Sequence, residues 1–170
     1  MPMTIEKAQV TLLREREVQV RRSFRAPRAL VYRAFTEPEL VRRWMLGPPG
    51  WSMTVCEMDV RVGGQYRWRW RSDENASEFG FIGTFREVQA PSKLVHTEAS
   101  DLGAAGDDVR GKDALVTVSF EENAGVTTVT SLIDFWSKAA RDSKMATGMT
   151  DGMEQRYQGL DRLLDEHSSR

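Results

Sequence analysis

Few residues in this chain have the types and spacing that chemistry requires, and most of those have an ordinary structural alternative. Glu57 and Asp59 stand two apart in "TVCEMDV". That spacing puts both carboxylates on one face of a strand, as a general acid–base pair would need. Asp59 also falls at the strand's end, where it can pair with Arg61 or cap the turn at Gly63 and Gly64. The structural role is the one expected. His96 and His167 have no cysteine or histidine partner at metal-ligand spacing. Cys56, the single cysteine, has no neighbouring base in the sequence and reads as a small buried hydrophobe. Nucleophile-elbow, phosphate-loop and dinucleotide motifs do not occur. No catalytic residue, metal or cofactor is expected.

A second candidate is "GGQYRWRWRSD", residues 63–73, where Tyr66, Trp68 and Trp70 alternate with Arg67, Arg69 and Arg71. Aromatic and basic side chains together can grip single-stranded nucleic acid, but only when both lie on the same surface. In a strand, alternation sends them to opposite faces. The aromatics are expected to point inward and the arginines outward, so no nucleic-acid partner is expected. Net charge agrees: 24 Lys and Arg against 25 Asp and Glu give −1, with no general attraction to polyanions.

The elements that must position these residues follow from periodicity. "REVQVRRSF" (16–24) alternates as a half-buried strand. Leu30, Val31, Ala34 and Phe35 mark a short helix. Thr36 with Glu39 has the spacing of a capping box, ahead of a second short helix with Leu40, Val41, Trp44 and Met45 as its stripe. After the break at "GPPG", six strand candidates follow at hairpin spacing, from "WSMTVCEMDV" to "VTTVTSLIDFW". The Gly- and Asp-rich "SDLGAAGDDVRGKD" (100–113) reads as a mobile loop. From Ala139 to about Glu166, Met145, Met149, Met153, Tyr157, Leu160 and Leu164 recur at steps of three and four, the stripe of one long helix. Gly148 and Gly152 share a face beside it. The expectation is an α+β helix-grip fold, with a curved antiparallel sheet of about seven strands around a long C-terminal helix. Residues 1–15 read as a tail or strand extension and 16–170 as one domain. No apolar run is long enough to cross a bilayer, and a cytoplasmic protein is expected.

Five blocks carry a resemblance: "FRAPRALVYRAFTEPELVRRWM", "CEMDVRVGGQYRWR", "FGFIGTFREVQAPSKLVHT", "ALVTVSFEENAGVTTVT" and "ATGMTDGMEQRYQGLDRLLDE". In this order they resemble bacterial proteins similar to the C-terminal domain of the heat-shock-protein-90 ATPase activator. That family lies in the START-like, birch-pollen-allergen-like superfamily. The resemblance implies a cavity between sheet and long helix that takes apolar ligands. It also raises docking on the 90-kDa chaperone, with Arg67, Arg69 and Arg71 as the contact surface, and a cyclase-like enzyme as a third role.

The expected ligand-binding residues are Trp44, Trp51, Tyr66, Trp68, Trp70, Phe81, Phe85, Met149, Met153 and Tyr157. Each can equally be plain core, the commonest fate of such side chains. The expected partner is a small hydrophobic molecule bound by a carrier or sensor.

Overall fold

The computed structural model describes residues 6–101 and 112–168. Most of the expected 100–113 loop therefore lies outside the described residues. The elements, in chain order, are β1 (Gln9–Leu13), β2 (Glu17–Phe24), α1 (Arg28–Thr36), α2 (Pro38–Trp44), β3 (Trp51–Met58), β4 (Gln65–Ser72), β5 (Glu78–Gln89), β6 (Lys93–Ser100), β7 (Ala114–Asn123), β8 (Val126–Asp134), α3 (Lys138–Ala146) and α4 (Met149–Ser168). Among the described residues there are eight strands in one sheet, ordered β1-β2-β8-β7-β6-β5-β4-β3. The strand beyond the seven expected is β1, which pairs antiparallel with β2. From β3 to β8 the chain is an antiparallel meander, and β2 closes it by pairing with β8. The fold is α+β with α4 over the sheet. No described helix is long and apolar enough to cross a membrane.

The alternation read from β4 is the one observed. Tyr66, Trp68 and Trp70 are buried, while Arg67 and Arg71 are exposed and Arg69 is half-buried. β2 alternates equally well, but its inward row contains a charge: Val18, Val20, Arg22 and Phe24 are all buried. Arg22 is tolerated there because α4 supplies two carboxylates. Its Nη1 and Nη2 bind Asp161 at 2.7 and 2.8 Å, and Nη2 also binds Glu154 at 3.0 Å. The guanidinium lies 4.9 Å from the Phe24 ring centroid.

Two local readings are corrected. The Thr36–Glu39 capping box does not form: Thr36 Oγ1 donates back to the Tyr32 carbonyl at 2.9 Å, and Glu37 stands at the N-cap of α2 without a side-chain cap bond. Glu37 instead holds Arg33 one turn back, at 2.6 Å. The single C-terminal helix is two. Gly148 sits at φ +81, a left-handed conformation that only glycine adopts freely, and it separates α3 from α4.

Arg22→Met is expected to lower folding stability by about 3–5 kcal/mol, because it leaves two partly buried carboxylates without their cation. A urea midpoint barely changed from wild type would show that this pairing does not hold the helix. Burial acts to raise the Glu154 pKa. The hydrogen bonds from Arg22, the Ala8 N–H and Gln158 outweigh it and hold the group below the ordinary 4.5. Its contribution is thus fully present above that ordinary value and lost as pH falls through the lower folded value. Stability measured against pH should show an acid limb that is shallower in Arg22→Met.

Candidate functional site

Between the sheet and the C-terminal helices lies a cavity of about 370 Å³. Strand alternation supplies its floor: Trp68 from β4, Phe79 and Phe81 from β5, His96 from β6, Val116 from β7 and Ile133 from β8. Its roof is one face of α4, where Met149, Gly152, Met153, Arg156 and Tyr157 recur at steps of three and four. Trp44 and Met45, at the end of α2, close one side. Among the described residues outside its own stretch of helix, a Cβ built on Gly152 would meet nothing within 4 Å, so the helix stands clear of the sheet at that point.

Six of the expected ligand-binding residues line this space: Trp44, Trp68, Phe81, Met149, Met153 and Tyr157. Trp51, Tyr66, Trp70 and Phe85 are not among its lining residues. They form a layer behind the wall. Trp70 stacks on Phe79 with ring centroids 4.9 Å apart and donates its indole N–H to the Met45 carbonyl at 2.8 Å. Trp51 packs edge-on against the same Phe79. Tyr66 lies over Gly83, where a Cβ would come within 2.4 Å of its ring, and donates its hydroxyl to the Thr97 carbonyl at 2.7 Å. Phe85 packs on Tyr66 and His96. Gly148 was expected on the α4 face; it lines the cavity as the break before the helix instead.

The polar members of the wall were not anticipated. His96 is buried, and its Nδ1 lies 3.0 Å from the Thr97 carbonyl and 3.1 Å from the Tyr66 hydroxyl. A carbonyl only accepts, so the hydrogen is assigned to Nδ1, leaving Nε2 as the acceptor nitrogen. Burial pushes the His96 pKa down against the opposing pull of Glu98, so the ring is neutral near pH 7. Glu98 also lines the cavity. Arg156 is half-buried. Burial lowers its pKa, partly countered by Glu98. The signal for Arg156 was in the sequence, three residues after Met153 and seven after Met149 on the same stripe.

The remaining candidates lie elsewhere. Asp59 pairs with Arg61 at 2.8 Å at the turn before β4, and Glu57 is exposed on the outer face. On that same face Asp101 holds Arg67 at 2.7 Å and Arg69 at 2.9 Å. Cys56 is buried, and burial raises its pKa.

A family model described as "Activator of Hsp90 ATPase homolog 1-like protein" matches residues 25–165. The chain belongs to this family. No curated protein matches it. Among solved structures, a protein from Rhodobacter sphaeroides is 27% identical with a TM-score of 0.84, covering 95% of this chain and 99% of that one. A protein from Staphylococcus epidermidis is also 27% identical, with a TM-score of 0.78 and coverage of 97% and 95%. An AHSA1-like protein from Aeromonas hydrophila shares the fold at 20% identity, with a TM-score of 0.65 and coverage of 85% and 93%. Family and fold are thus fixed together.

If the layer behind the wall is structural, Tyr66→Phe should cost about 0.5–1.5 kcal/mol, the net worth of one hydrogen bond, since the Thr97 carbonyl keeps the His96 Nδ1 donor. Affinity for any cavity ligand should stay unchanged. Thermal denaturation and a binding titration on the same variant would check both, and a large affinity loss would move Tyr66 into the site.

Proposed function

We propose that this protein binds a small apolar molecule beneath α4, acting as a carrier or sensor. The observation that carries this reading is the roof at Gly152: a helix whose inward face has no side chain there, above aromatic walls, with no atom of the described residues outside its own stretch of helix within 4 Å of a built Cβ. Close packing is the rule in protein interiors, and an unfilled volume forfeits dispersion contacts along its whole lining. At about 370 Å³ the space falls at the lower end of the roughly 300–1,000 Å³ typical of small-molecule sites, which points to a compact ligand. Met149 and Met153 suit such a guest, since flexible thioethers adjust to different shapes. Chaperone docking through the β4 arginines gains less support, because Arg67 and Arg69 are already paired with Asp101.

Gly152→Leu tests the reading directly. The new side chain has space to enter the cavity, and leucine favours the helix by up to about 1 kcal/mol over glycine. The variant should melt higher than wild type and lose binding of small lipophiles in native mass spectrometry. Wild-type protein that takes up no lipophile from a broad panel would end the proposal.

A further inference from the structure

Among the described residues, Arg156 is the one guanidinium in the cavity wall, and no hydrogen bond or ion pair engages it. This sets it apart from the other inward arginines. Arg22 is held by Asp161 and Glu154, and Arg141 by Asp142 and the Arg14 carbonyl. A guanidinium presents five N–H donors and stays charged, so leaving it unpaired in a half-buried site is costly unless a partner arrives. Glu98 acts on it through space without closing an ion pair. Around it the wall carries Lys112 and Lys144, against Glu98 as the only carboxylate among the described lining residues. A second donor in the same wall also lacks an acceptor: Trp68 Nε1 is buried with no hydrogen-bond partner.

The wall therefore has a surplus of positive charge and of donors, while the rest of the cavity is aromatic and thioether. We propose that the ligand is a compact monocarboxylic acid with an apolar body, its carboxylate held by the forked guanidinium of Arg156 and its body lying among Trp68, Phe81 and Met153. The planar fork matches a carboxylate in bidentate fashion, and such charge-assisted pairs are about twice as strong as neutral ones. This inference rests on the cavity reading above and adds the chemical class of its guest.

The experiment uses matched probes: decanoate with methyl decanoate, and 1-naphthoate with methyl 1-naphthoate. Each is titrated calorimetrically into the full chain, its Arg156→Met variant and its Glu98→Gln variant. Wild type should bind at least one acid about 10-fold or more tighter than its ester, the scale of a charge-assisted hydrogen bond. Arg156→Met should reduce that preference to within about threefold while leaving ester affinity intact; the expected residual is what screened lysines at the rim supply. Glu98→Gln should tighten acid binding by removing a like charge. Equal binding of acid and ester by wild type, or a preference retained in Arg156→Met, would overturn the carboxylate assignment and leave the apolar cavity standing. Absence of binding by acids and esters alike would bring down both readings. Unfolding of Arg156→Met in circular dichroism would also count against the assignment, since it would make the guanidinium part of the scaffold.

Discussion

The buried cation on β2 is the constraint on which the rest of the structure depends. Alternation commits Arg22 to the inward row with Val18, Val20 and Phe24, and a charge in that row must find its counter-charge on whatever covers the sheet. Glu154 and Asp161 are seven residues apart, two helical turns, and so share one face of α4. Bidentate contact with Asp161 at 2.7 and 2.8 Å leaves little freedom in the rotation of the helix about its axis. Once that face is fixed toward β2, Met153, Arg156, Tyr157 and Leu160 must turn toward the interior. The ion pair thus decides which residues can meet a ligand, although it does not line the cavity.

The pinned helix is not uniformly close to the sheet. In its C-terminal half Leu160, Leu163 and Leu164 are buried, and Gly159 allows close approach: a Cβ there would sit 3.2 Å from the Trp44 carbonyl. Tyr157 packs edge-on against Phe24, with ring centroids 5.3 Å apart, and stacks beside Trp44 at 6.2 Å. One turn earlier the contacts thin out, and Gly152 stands over open space. Two glycines on one helix therefore have opposite meanings. Gly159 lets the backbone in, and Gly152 leaves room that no described group fills. A helix clamped along one half and raised along the other is how a continuous domain encloses a hollow without losing its core.

Sequence periodicity carried the architecture and the facing of each strand, because a period of two or three-to-four residues is a direct consequence of backbone geometry. It could not give depth. Tyr66, Trp68 and Trp70 have the same phase on β4, yet only Trp68 reaches the cavity. Tyr66 is covered through its pairing with Gly83 and its contacts to Phe85 and His96, and Trp70 by the stack on Phe79. Which member of an inward row becomes wall and which becomes backing depends on neighbours from other strands, and those pairings lie up to 31 residues away in the chain. The break at Gly148 was lost for a related reason. A glycine inside an apolar period looks the same whether the helix runs through it or stops, and only the positive φ tells them apart.

The same limit applies to charge, and there it bears on function. Arg22 and Arg156 both sit in phase with apolar stripes, and by pattern alone each would be taken as a solvated cation at the edge of its face. Physically they are different objects. Arg22 ends in carboxylates from its own chain, so its desolvation is offset within the fold and the group acts as a fastener. Among the described residues Arg156 has no such partner, and Glu98 moderates its field without neutralising it. The scaffold shows in Arg22 that it can satisfy an inward guanidinium when the role is structural. The donors of Arg156, beside an apolar volume, have no such partner among the described residues, and from that contrast we propose a carboxylate arriving from solution.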